Sequence, residues 1–143
     1  MKPPTRFFAV AACIGVPAAH AATVDVCAML PPSDAETIVG KISKVTSIKP
    51  QGSLLGECTF EGAKGSFSVA ARPAQEYDET VKAAADRTKP PEPAPGLAGK
   101  AVKSKYGLLY QPSGKPYFLQ VIARRGDTED LAMAIEGAKK LKQ

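Results

Sequence analysis

The sequence predicts an α+β fold: one antiparallel sheet of about five to six strands, two to three helices on one of its faces, and a single disulfide. Three observations lead there. The elements run in blocks, in the order helix, strands, helix, crossover, strands, helix, rather than as repeating βαβ units. Two stretches of alternating character fold back across glycine-containing turns. Two cysteines, Cys27 and Cys58, bracket the first helix and reach into the first hairpin.

The chain opens on what reads as a secretory signal. Lys2 and Arg6 supply a positive start, residues 7–16 form a short apolar run, Pro17 breaks it, and Ala19 and Ala21 place small residues before the cut. Cleavage after Ala21 leaves one exported domain, residues 22–143. The apolar run is shorter than the roughly 20 residues a spanning helix needs, so no transmembrane segment is expected in the mature chain. A lipoprotein is the alternative, because Val10-Ala11-Ala12-Cys13 resembles a lipobox and would carry a lipid on Cys13. The first reading makes the protein periplasmic or secreted; the second anchors it through Cys13.

Export decides the cysteine chemistry. With Cys13 removed or lipidated, Cys27 and Cys58 remain as an even pair without CxxC spacing, and an oxidising compartment favours a disulfide between them. Closing a loop of that length removes roughly 3.5 to 4 kcal/mol of unfolded-state entropy in the chain-entropy model.

The elements follow in order. Residues 25–30 suit one helical turn, ended by Pro31 and Pro32. Ser33 then caps a helix over 33–39, with Glu36 completing a capping box and Gly40 ending it. Residues 41–48 are strand-like in their β-branched content, and Pro50 to Gly52 stop them. Residues 57–60 and 66–71 alternate about the turn Gly62-Ala63-Lys64-Gly65; pairing Phe60 with Phe67 puts Cys58 beside Val69 on the core face.

Residues 74–86 read as a helix with Tyr77, Val81 and Ala84 or Ala85 on one stripe. Residues 88–96, with four prolines between positions 90 and 95, form an extended crossover between the two halves of one domain, or a docking segment. A second hairpin joins residues 102–110 to 116–123; a turn centred on Ser113-Gly114 pairs Tyr110 with Tyr117, Leu108 with Leu119 and Tyr106 with Val121. Its other face holds Leu109 with Phe118, Lys105 with Ile122, and Lys103 with Arg124. Asp127 or Thr128 caps the last helix, whose stripe is Leu131, Ala134, Ile135, Ala138 and Leu141 or Lys142, with a Glu136–Lys140 pair.

Cys27 with Met29-Leu30 ahead of an acidic helix ending at Gly40, then Gly56-Glu57-Cys58-Thr59-Phe60, then Pro95-Gly96-Leu97-Ala98-Gly99-Lys100-Ala101, resembles a class of small exported bacterial domains of uncharacterised function, many of them lipoproteins. Some such domains resemble the fold of the photosystem-associated PsbP proteins. The resemblance implies the α+β architecture and says little about activity.

The chemistry open to the mature chain is narrow. Its one histidine, His20, leaves with the signal, and the chain has no tryptophan. Ser-His-Asp and Cys-His catalysis, His-based zinc and haem sites are therefore excluded, and no cofactor, metal or catalytic residue is expected. Carboxylate pairs are the remaining catalytic option: Asp78-Glu79, Glu57-Glu61 and Asp127-Glu129-Asp130 are the candidates for a periplasmic hydrolase.

Charge points elsewhere. Residues 22–86 carry six basic and nine acidic side chains, residues 87–143 eleven and five. The hairpin register gathers Lys103, Lys105 and Arg124 on one face, with Lys100 and Arg125 at its end, as a binding face for a protein or an anionic envelope component. Basic residues without aromatic interleaving argue against nucleic acid. The expected function is a non-catalytic exported binding domain. The alternatives are the hydrolase and an inhibitor of an extracytoplasmic enzyme that presents the proline crossover.

Intact-mass measurement of exported protein checks compartment and staple together. The mature chain should begin at Ala22 and alkylate at two thiols only after reduction; two thiols alkylated in unreduced, denatured protein would exclude the bridge.

Overall fold

The structure, a computed structural model, describes residues 23–85, 88 and 90–143. The expected signal, with Cys13, and parts of the crossover lie outside the described residues. The elements are α1 (Val26–Met29), α2 (Pro32–Val39), β1 (Ile42–Ile48), β2 (Gly56–Gly62), β3 (Gly65–Pro73), a 3-10 turn (Ala74–Glu76), α3 (Tyr77–Ala84), β4 (Glu92–Pro93), β5 (Gly99–Ser104), β6 (Gly107–Pro112), β7 (Tyr117–Arg125), β8 (Thr128–Glu129) and α4 (Leu131–Lys140). All strands join one antiparallel sheet in the order β1-β2-β3-β7-β6-β5-β4, with β8 on the far end of β7.

The α+β class and the staple are as expected. Cys27 and Cys58 are bonded, with Cα atoms 5.1 Å apart. The first hairpin has the expected register, Phe60 opposite Phe67 and Cys58 opposite Val69, which buries Cys58 completely and fixes α1 against β2.

Strand and helix counts differ: among the described residues eight strands and four helices form where five to six and two to three were expected. The helices also use both faces of the sheet. α1, α2 and α4 cover the front, where Phe60, Phe67, Val69, Leu108, Leu119 and Val121 meet Val39, Met133 and Ala134. α3 lies on the back, where Tyr77 and Ala84 pack on Leu109 and Phe118. The reason lies in the alternation of β6 and β7. Leu109 and Phe118 are apolar on the face opposite Leu108 and Leu119, so both sides of these strands need cover.

The second hairpin also departs from expectation. The segment 102–110 is two strands, because Lys105-Tyr106 make a tight turn into Gly107 at φ 88°. β6 then pairs with β7 two residues out of the expected register: Leu108 opposite Val121 and Tyr110 opposite Leu119. Pro112 has no N–H to extend the ladder, so pairing stops at Tyr110. A slip of two preserves which side chains face the core.

Caps differ as well. Pro31 precedes α2 without a side-chain cap bond, Pro32 occupies its first turn, and Gly40 ends it at φ 77°. The Glu36 carboxylate instead accepts from the Ile42 amide. β8 takes up Thr128, so Asp130 caps α4 by accepting from the Met133 amide at 2.9 Å. Glu136 pairs with Lys139 rather than Lys140.

Gly137 shows how closely α4 sits. A Cβ built there comes within 3.0 Å of three carbons of the fully buried Phe67 ring. Glycine inside a helix usually costs about 1 kcal/mol relative to alanine. Here Gly137→Ala should instead destabilise by roughly 1 to 3 kcal/mol, through overpacking. Urea unfolding measures it; a more stable Gly137→Ala protein would show that α4 stands farther from the sheet.

Candidate functional site

The five basic residues expected on one face are divided by the observed strands. Lys103 shares the front face with its cross-strand neighbour Leu108, and Lys105 lies in the β5–β6 turn with its ammonium 5.2 Å from the Tyr106 ring. Lys100 is on the back, 5.9 Å over the Tyr77 ring. Arg124 and Arg125 are successive on β7, so they point to opposite faces. Each finds an acid: Arg124 with Glu129 at 3.9 Å, and Arg125 with the α4 cap, Asp130.

What the fold brings together is Lys103, Lys105 and the crossover. A groove of about 560 Å³ runs between the proline segment and the start of α4, lined by Pro90, Glu92, Lys103, Lys105, Glu129 and Leu131, among others. Each wall has a local cause. β4 holds the end of the crossover onto β5, with Glu92 opposite Lys103, and the Ala94 amide donates to the Ala101 carbonyl at 2.9 Å. β8 folds back on β7 and brings Glu129 and Leu131 to the other side.

A smaller recess of about 180 Å³ continues inward past Ser104, Glu129 and Leu131 to Val121 and Ala134. The site is thus an open, mixed surface: an apolar floor, two lysines and two acids. Glu129 is engaged by Arg124. Among the described residues, Lys103 and Lys105 form no ion pair. Lys103 is half-buried, which makes its charge the less screened of the two.

Most of the carboxylates considered for catalysis have separate local roles, while Glu129 and Asp130 both line the smaller recess and each meets an arginine. The Glu57 carboxylate accepts from Ser68 Oγ, and Glu61 pairs with Lys44 at 3.9 Å. Asp78 and Glu79 are exposed in the first turn of α3, where negative charge suits the helix dipole. Asp130 has a carboxyl held below the ordinary carboxylate value, first by the Met133 amide and then by the Arg125 side chain. A lowered carboxyl is a poor proton donor. Among the described residues no three His, Cys, Asp or Glu side chains stand together as metal ligands.

One buried polar atom is unexplained by packing. Among the described residues the Tyr77 hydroxyl has no hydrogen-bond partner, and burial, followed by Asp78, raises its pKa. It lines none of the recesses above.

Sequence reasoning missed β4 and β8, both two residues long, and with them the groove walls. The one available signal was Gly107, which leaves two residues between itself and Ser104, suits a tight turn and would have separated β5 from β6. No protein-family model, curated protein or solved structure matches the chain. Among the described residues no helix is long and apolar enough to cross a membrane.

The cap at Asp130 anchors one wall of the groove and yields a pH signature. Its folded-state pKa lies below the unfolded value. Its stabilisation is therefore complete above the ordinary carboxylate range and lost as pH falls through the lowered value. Asp130→Ala should cost about 1 kcal/mol at neutral pH, and Asp130→Asn less, since Asn also caps. Urea midpoints across pH should show the acid-side loss shrinking in Asp130→Asn; an unchanged profile would remove Asp130 from the acid response.

Proposed function

We propose that the chain is an exported, non-catalytic binding domain that receives a carboxylate-bearing protein segment in the groove between the proline crossover and α4. The observation that carries this reading is the pair of ammonium groups, Lys103 and Lys105, uncommitted to any ion pair among the described residues and set beside the apolar side chain of Leu131. A cation next to an apolar wall suits a partner that brings an acid and an aliphatic group together.

Three further points support it. The candidate catalytic acids are exposed or hold structural partners, which favours binding over hydrolysis. A disulfide in the core suits an oxidising compartment and so favours export, as does the resemblance to small exported domains. The crossover serves as a groove wall, tied to β5 by β4, which favours receiving a partner over insertion into one as an inhibitor loop.

The test is a titration of the mature protein with an oligoglutamate peptide, followed by backbone amide shifts, for wild type and for Lys103→Glu with Lys105→Glu. Lys105 is exposed but Lys103 is half-buried opposite Glu92, so circular dichroism should stay native while the urea midpoint falls modestly as like charges face each other across β4 and β5. Peptide affinity should fall at least about tenfold in the reversed protein, and wild-type binding should weaken between low and physiological salt, where charges are screened beyond about 8 Å. Binding indifferent to both would overturn the assignment. Response to anionic vesicles but not to the peptide would transfer the surface to an envelope lipid.

A further inference from the structure

β1 is the long free edge of the sheet: it pairs with β2, and no strand lies beyond it among the described residues. Every second residue of such a strand turns its N–H and C=O outward, a template for another extended chain. The opposite edge, β4, is two residues long and contains Pro93, so it offers almost no donor row.

Only part of β1 is blunted. Its register shifts between Ile42 and Lys44, while the pairing from Lys44↔Glu61 to Ile48↔Glu57 is regular. This regular part carries two exposed apolar side chains, Val45 at 50% and Ile48 at 38%. Three positions apart, they lie on opposite faces of the sheet. A lysine flanks each on the outside, Lys44 before Val45 and Lys49 after Ile48. Lys44 reaches Glu61 only at 3.9 Å, with both side chains largely in water.

Charge decides between occupants. Residues 41–49 hold Lys41, Lys44 and Lys49 and no acid. Two copies paired antiparallel about Val45 would bring Lys41 of one to Lys49 of the other at both ends, one residue beyond β1, and every other register leaves three ammonium groups along or beside each of two neighbouring strands. Like charges directly opposite destabilise strand pairs. The edge therefore disfavours a second copy of this chain and suits an acidic one.

We infer that β1 takes up, by strand addition, an extended peptide segment of the pattern acid–apolar–x–x–apolar–acid. The apolar residues lie beside Val45 and Ile48, and the acids beside Lys44 and Lys49. The pattern reads the same in both directions, so it holds for parallel and antiparallel entry. The site is at the far edge of the sheet from the groove and does not depend on it.

The probe is a blocked peptide containing Glu-Val-Thr-Thr-Val-Glu. Two controls accompany it: the inverted Val-Glu-Thr-Thr-Glu-Val, and the same peptide with lysine for glutamate. The matched peptide should bind below about 1 mM, shift amides of β1 residues 44–48, and bind about tenfold tighter than either control. Lys44→Glu with Lys49→Glu should exchange the preference toward the lysine peptide. Lys103→Glu with Lys105→Glu should leave the matched peptide's affinity, read at the amides of residues 44–48, unchanged even where shifts at the groove are lost, which separates this edge from the groove. Equal affinity for the matched and inverted peptides, shifts confined to the groove, no binding below about 1 mM, or self-association of the free protein through β1 would each overturn the proposal.

Discussion

The antiparallel pairing of β3 with β7, residues 66–73 against 117–124, is the contact on which the remaining structure depends. It joins two strand systems that are otherwise local: β1-β2-β3, tied to α1 by the Cys27–Cys58 bond, and β4-β5-β6-β7 with α4. Neither system closes a core alone. The front core mixes Phe67 and Val69 from the first with Leu119 and Val121 from the second. Such a long-range pairing costs loop-closure entropy before any contact repays it; the disulfide lies upstream of that loop and lowers instead the cost of ordering the first system.

The position of α4 follows from this pairing. Phe67 on β3 fills the space that a side chain at 137 would need, so glycine there allows the helix to lie on the sheet. At its N-terminus, Asp130 binds the Met133 amide and Arg125 and donates its own amide to the Ala123 carbonyl at 2.8 Å. These bonds locate Glu129 and Leu131, and so one side of the groove. The other side is the crossover, held by the two residues of β4. The candidate site thus lies where the two least regular segments of the chain are pinned to the most regular ones.

The surface divides in the same way. Arg124, Arg125 and Lys139 each meet an acid nearby, and such exposed pairs add little stability. The lysines that remain uncommitted at the groove, and the lysines of residues 41–49, of which Lys44 pairs with Glu61, stand at opposite edges of one sheet. Between them on the open back face, Thr59 Oγ1 donates to Ser68 Oγ and Ser68 Oγ to the Glu57 carboxylate, so that surface is satisfied within itself and has less to offer a partner.

Much was legible in the residues themselves. Period-two alternation and a glycine-bounded turn determined the first hairpin to the residue, because a one-place slip would have turned Phe60, Phe67 and Cys58 to water. The pairing of the two cysteines followed from their count and from the compartment the N-terminus led one to expect. The alternation of β6 and β7 assigned Leu108, Tyr110, Leu119 and Val121 to one face, and that survived a register error of two. Tertiary structure alone decided what local pattern does not encode. Which face α3 covers depends on Leu109 and Phe118 being stacked by strands that meet only after folding. The β5–β6 turn at Lys105-Tyr106 divided a continuous run of β-forming residues and moved Lys103 away from Arg124. β4 and β8 have no periodicity to detect at two residues each; they exist because β5 and β7 offer them open edges. The groove is built from those two short pairings, so its lysines could be named from the sequence while their neighbours could not.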